Sequence, residues 1–247
     1  AEYEIFKRMY AYDLVDLNAE IVWEQEKADW IRQRVAFDLP YGERGGAFLY
    51  LPKDRTGPTR TVVVWPGSGY LAVQSEDKEY WTSAFDFLIR SGYVVVMPIF
   101  KGAYDRDDEN YSITHASLLD NTSGTNYRDF QLKWLQDLSR TVDYLETRPD
   151  GAASRVGYAG HRWGGQTGPI SLALDKRFKA AVLNVGGLWD IYDFLPEADP
   201  LNFVTRVATP VLMLNGEFDI VFPLETAQLP MFELLGTSSE DKKHVVT

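Results

Sequence analysis

Val156-Gly157-Tyr158-Ala159-Gly160-His161-Arg162-Trp163-Gly164-Gly165 is the stretch on which the reading of this sequence turns. A short apolar run enters it, and a helix-compatible segment leaves it. Gly160 and Gly164 stand on either side of Arg162, each two residues away. That is the layout of a nucleophile elbow, G-x-S-x-G, in which a strand turns sharply into a helix. So tight a turn leaves no room for side chains beside its central residue, which is why glycines flank it. The centre departs from the pattern. The position calls for Ser, Cys or Asp, whereas the Arg162 guanidinium is protonated at any ordinary pH and has no lone pair to attack with. The stretch predicts a hydrolase frame with a cation at its reactive point.

Outward from the elbow, strands and helices alternate. Gln33–Leu39 alternates polar and apolar residues, and Ala47–Pro52 follows after a Gly-rich turn, as in an antiparallel hairpin. Thr61–Trp65 and Tyr93–Pro98 are continuous β-branched runs, the mark of buried parallel strands. Between them Trp81, Phe85, Leu88 and Ile89 recur at helical spacing, with Gly92 as the C-cap. Lys101 to Thr125 reads as a long polar loop holding Asp105, Arg106, Asp107, Asp108 and His115. Phe130, Trp134, Leu135, Leu138, Val142 and Leu145 mark the longest amphipathic helix. A helix from about Gly165 to Leu174 leaves the elbow. Ala180–Gly187, Pro210–Gly216 and Lys242–Thr247 read as strands, and Leu224–Leu235 as a helix. This alternation predicts an α/β fold with a mostly parallel central sheet and helices on both faces.

The composition sets limits. The chain has 247 residues, 45% of them hydrophobic and 14% aromatic, enough for the core of one large domain spanning 1–247. Residues 1–30 form a short helix or irregular lead-in, and 188–208 a candidate lid or insert. The net charge of -11 repels phosphate backbones, which argues against nucleic-acid partners. With no Cys, disulfides, thiolate catalysis and Cys-ligated zinc are excluded. No apolar run approaches the ~18 residues of a membrane span. Ala1-Glu2-Tyr3-Glu4 does not read as a signal peptide, and a cytoplasmic placement is the expectation. No metal cluster or nucleotide loop stands out, so no cofactor is expected.

Three companions bear on the elbow. The first, Trp65-Pro66-Gly67-Ser68-Gly69-Tyr70, closes a buried strand. Ester hydrolysis passes through an oxyanion that needs preorganised N–H donors. The backbone of Trp163, after the elbow residue, would give one, and that of Ser68, Gly69 or Tyr70 the other. The second, Asn215-Gly216-Glu217-Phe218-Asp219, follows a late strand and places Asp219 where the acid of a triad belongs. The third should be a histidine, and only His115, His161 and His244 are available. His115 precedes the elbow in a polar loop. His244 lies in a β-branched run, where it would face sheet packing. His161 would point away from the reactive point but is a candidate pocket residue, with Trp189 and Tyr192.

These segments resemble the α/β-hydrolase superfamily, on its dienelactone-hydrolase and prolyl-oligopeptidase side. More closely, they resemble the hydrolase domains fused to bacterial serine/threonine kinases of eukaryotic type. The resemblance rests on Ala47–Lys53, Trp65–Gly69, Val96–Gly102, Asp143–Asp150 and Pro210–Gly216, and covers the chain from about residue 30 onward. It implies an ester-hydrolase ancestry. Members carry Ser where this chain has Arg162, and they continue past the last strand into a Gly-Gly-His-type segment that supplies the base. The sequence stops at Thr247, so the expected last strand and its covering helix are cut short, leaving a sheet edge open to self-association.

Two functions follow. One is a serine-esterase frame, acting on small-molecule esters in its family but inactive in this chain. The other is a non-catalytic module that holds an anionic ligand on Arg162.

Overall fold

The protein is described by a computed structural model covering residues 2–54, 59–72, 82–106, 121–189 and 192–247. His115, Asp107, Asp108 and Trp81 lie outside these residues.

Among the described residues nine strands form one sheet, in the order β1-β2-β3-β5-β4-β6-β7-β8-β9. β1 (Glu20–Glu26), β2 (Trp30–Asp38) and β3 (Arg44–Pro52) make an antiparallel meander, and β3 pairs antiparallel with β5 (Val94–Pro98). From β5 onward every pairing is parallel, through β4 (Thr61–Trp65), β6 (Val156–His161), β7 (Phe178–Asn184), β8 (Val211–Asn215) and β9 (Lys242–Val246). The hairpin and the parallel centre match the pattern of the sequence. β1 does not: it falls in the stretch read as lead-in. Its burial pattern is exposed at six of seven positions, so it is an edge strand with no apolar face to show a period of two.

The lead-in also holds helix α1 (Glu2–Tyr10), whose Tyr3, Phe6 and Tyr10 rings close on Phe203. Helix α2 (Thr82–Arg90) lies on one face of the sheet, with Phe85 edge-on to Tyr50 of β3. The longest helix, α3 (Thr125–Thr147), and α4 (Trp163–Leu174) lie on the opposite face. The described part of 188–208 holds a 3₁₀ turn (Pro196–Ala198) and a short α-helix, α5 (Leu201–Val204), whose Phe203 and Val204 are fully buried against α1 and α4. Leu224–Gln228 winds as a π turn, and α6 (Leu229–Leu234) continues from it.

A buried ion pair fastens α3 to the loop after β5. Asp137 accepts from the Lys101 N–H at 2.9 Å, from Arg106 at 2.8 Å and from the Tyr41 hydroxyl at 2.5 Å. Desolvation raises the Asp137 pKa, and the Arg106 charge opposes that rise. One turn earlier on α3, Trp134 donates its indole N–H to the Lys101 carbonyl at 2.8 Å. The loop carrying Arg106 is therefore held at both ends of one helical turn.

Candidate active site

The elbow forms where β6 meets α4. Arg162 takes φ 50° and ψ −102°, a left-handed backbone that L-residues adopt only under constraint. The constraint is visible in the glycines. A Cβ on Gly160 would run into the Gly164 carbonyl, and one on Gly164 into the Trp65 carbonyl at the end of β4. The pair lets strand, helix and neighbouring strand meet at backbone distance. Gly165 continues the approach, standing where an added Cβ would be 3.0 Å from Gly186 past the end of β7. Behind the turn, Trp163 packs among Trp65, Phe100 and Trp134, with ring centroids 5.0, 5.6 and 4.6 Å away. The Arg162 N–H donates to the Asn184 carbonyl at 2.9 Å, which ties the turn to β7.

The guanidinium of Arg162 is exposed and makes no ion pair or hydrogen bond among the described residues. It stands at the C-terminal edge of the parallel strands, where ligands bind in open α/β sheets. Trp163 heads α4, and the first N–H groups of a helix have no partner within it. β4 is next to β6, and past its end Ser68–Ala72 form a 3₁₀ turn. The Tyr70 N–H is spent on the Gly67 carbonyl at 3.0 Å, and its side chain is buried with the hydroxyl on the Pro98 carbonyl at 2.9 Å. Of the three amides expected as donors on this loop, that of Tyr70 is thus engaged within its own turn.

Asp219 follows β8, two strands from the elbow. Its Oδ1 accepts from the Val221 and Phe222 amides at 2.8 and 3.0 Å, so the carboxylate shapes its own turn. Gln228 holds the loop from behind, donating to the Gly216 and Phe222 carbonyls at 2.9 and 2.7 Å. Asn215 donates to the Gly186 carbonyl at 2.9 Å and joins this loop to the one after β7. Trp189 stacks on Phe222 at 5.3 Å and meets Tyr192 at 4.8 Å, so an aromatic wall rises between the β7 and β8 loops. The sequence points to the wall residues and Asp219 but not to Asn184, Asn215 or Gln228 as site residues. The one signal for the first two was an amide side chain at the last position of a parallel strand.

No described histidine completes a triad. His244 bonds through Nε2 to Asn215 Oδ1 at 3.1 Å and packs its ring 5.4 Å from Phe232. His161 accepts at Nδ1 from the Asn184 side chain at 3.1 Å. It lines a groove on the α2 face of the sheet rather than the pocket at the strand ends, contrary to its expected pocket role. Burial lowers its pKa, and the neighbouring Arg162 charge lowers it further. Among the described residues no group of carboxylates and histidines could hold a metal, and no helix is long and apolar enough to cross a membrane.

A glycine-flanked strand–helix turn, a Gly-rich turn on the adjacent strand and an acid two strands away define an α/β-hydrolase site frame. Residues 46–236 match the dienelactone hydrolase family model, and the chain belongs to that family. Acetyl xylan esterase 1 from Thermoanaerobacterium sp. JW/SL YS485 superposes with a TM-score of 0.75 at 17% identity, covering 99% of this chain and 86% of that one. A cold-adapted esterase from an Arctic intertidal metagenomic library gives 0.67 at 18% identity, over 94% and 89% of the two chains. The putative dienelactone hydrolase from Klebsiella pneumoniae subsp. pneumoniae MGH 78578 gives 0.57 at 21% identity, over 83% and 80%. A search of curated proteins finds no significant match.

Proposed function

We propose that this chain is the frame of a serine-type carboxylic-ester hydrolase in which Arg162 occupies the nucleophile's place. As it stands, it does not turn over esters by nucleophilic attack. The observation that carries this is the Arg162 backbone, held at φ 50° between two glycines that tolerate no Cβ. A turn with no reactive task has no need of that conformation, which costs about 1–3 kcal/mol. The Ser68, Gly69 and Trp163 amides are the oxyanion donors of the reading, and Asp219 is its acid. The names of the structural neighbours favour small carboxylic esters, acetyl esters among them, as the substrate class.

The test puts a nucleophile back that needs no histidine. Arg162→Cys would be the only cysteine in the chain, at a helix N-terminus that favours the thiolate. Attack on p-nitrophenyl acetate forms an S–acyl bond, breaks the bond to p-nitrophenolate and releases one coloured equivalent per protein. The expected result is a stoichiometric burst at least tenfold faster than that of a surface thiol placed by Ser238→Cys. Equal rates for the two thiols would sink the reading.

The unpartnered guanidinium supports a second reading, capture of a small carboxylate at Arg162. Calorimetry with benzoate on the unaltered chain and on Arg162→Ala separates the two. Equal binding by both proteins removes the anion site.

A further inference from the structure

Four described residues other than glycine take positive φ: Asn18, Tyr104, Arg162 and Val185. Two of them are neighbours. β6 and β7 pair as far as His161 and Asn184, so Arg162 and Val185 each stand one residue past the ladder, side by side. Val185 has φ 53°, and a β-branched side chain suits that backbone least. The two glycines that follow do not take the left-handed turn in its place. Their missing side chains serve close packing instead. A Cβ on Gly186 would meet the Gly165 backbone at 2.7 Å, and one on Gly187 would meet Phe222 and Ala227 at 3.0 Å. Val185 is thus the one residue of Val185-Gly186-Gly187 that carries a side chain, at the position where the backbone favours glycine.

The backbone around Val185 is tied on both sides. Its N–H donates to the Leu214 carbonyl of β8 at 2.7 Å, and the Asn184 carbonyl before it accepts from the Arg162 N–H at 2.9 Å. The Gly186 carbonyl after it accepts from the Asn215 side chain at 2.9 Å. Surroundings that fix a backbone in this way are what let a strained conformation persist. Val185 itself is half-buried, at the edge where the parallel strands end. It stands between the elbow on β6 and Asn215 on β8, from which the loop to Asp219 departs. Ser68 and Gly69, the oxyanion donors of the reading above, follow β4 on the other side of β6. An ester whose carbonyl oxygen points toward β4 directs the other substituents of its carbonyl carbon toward β7.

We propose, on the ester-hydrolase reading of the elbow, that Val185 sets the length of the acyl group the site accepts. Its side chain closes the acyl side of the site and limits it to short chains. A glycine would take the same φ without strain. What the valine adds is a pair of methyl groups beside the elbow, where an acyl chain must leave the carbonyl carbon. Each methylene that such a wall excludes counts strongly in the rate.

Acylation of the Arg162→Cys protein by p-nitrophenyl acetate, butyrate and hexanoate tests this, because the leaving group is the same throughout. In each case the thiolate forms an S–acyl bond, the ester C–O bond breaks and p-nitrophenolate departs. With Val185 in place, the burst on hexanoate is expected to be at least tenfold slower than on acetate. Adding Val185→Gly should raise the hexanoate-to-acetate rate ratio at least tenfold, with Val185→Ala in between. A valine with a purely structural role would move the urea midpoint and leave that ratio alone. An unchanged ratio, with the acetate burst still at least tenfold faster than that of Ser238→Cys, overturns the inference and leaves the reading of the elbow standing. An acetate burst no faster than that of the surface thiol removes the reading, and the inference with it.

Discussion

Strand β6 serves two unlike faces with alternate residues. Toward α4 it presents Val156, Tyr158 and Gly160, all buried. Tyr158 donates to the Gly164 carbonyl at 2.6 Å, and Gly160 is pressed against that residue's backbone. Toward the groove it presents Gly157, Ala159 and His161, all half-buried. One face is matched atom by atom to a helix, while the other is a shallow bed of small residues beneath open space. The two faces share backbone, hydrogen bonds and register. Their difference shows that the elbow depends on close packing from one side only.

The largest effect should come from glycine substitutions that differ only in the face they use. Gly160→Ala is expected to destabilise by about 3 kcal/mol or more, since its Cβ meets backbone that cannot move aside. Gly157→Ala, three residues earlier, would place its Cβ 3.6 Å from the Ala180 carbonyl, an ordinary contact. It should be neutral or stabilising by up to about 1 kcal/mol. Urea midpoints of the two variants check this, and similar losses in both would erase the distinction between the faces.

A middle effect is expected on β7. Leu183 is fully buried beneath α4, and Val182 beside it faces the groove. Leu183→Ala should cost about 2–5 kcal/mol and Val182→Ala under about 1 kcal/mol. If Val182→Ala costs as much as Leu183→Ala, the groove is closed in solution.

The smallest effect is a pH dependence. Burial lowers the pKa of both His161, on the groove side, and His244, toward α6. A histidine whose folded pKa lies below its unfolded value binds its proton more readily once unfolded. Its stabilising contribution is complete above the unfolded pKa of about 6.5 and is lost as pH falls through that value. Urea midpoints should therefore drop between about pH 7.5 and 5.5. His161→Gln should reduce that drop. In Arg162→Ala the His161 ring resonances should titrate at higher pH, though still below an exposed histidine, because burial is the larger cause. An unchanged titration would mean that Arg162 does not act on His161.

The centre of the sheet was legible because burial on both sides writes β-branched runs such as Thr61–Trp65 and Val94–Met97 into the chain. The elbow was legible because a turn that excludes Cβ atoms leaves glycines at fixed spacing. β1 was not, since a strand exposed on both faces carries no pattern. Nor was the turn after β4, where the amides of Ser68, Gly69 and Tyr70 look equivalent until a 3₁₀ turn engages one of them. The groove escaped for another reason. Gly157, Ala159 and Ala180 read as ordinary interior residues, and only the arrangement of the described helices shows which side of the sheet they leave uncovered.

The aromatic nest behind the elbow also gives the molecule an optical signature. Trp163 lies 5.0 Å from Trp65 at 85° and 4.6 Å from Trp134 at 80°. Indoles so near, and so far from parallel, couple their transitions and give strong near-ultraviolet dichroism while they are held rigidly. Three of the chain's seven tryptophans thus report directly on the turn that carries Arg162. A spectrum taken without any label would register loosening of that turn directly.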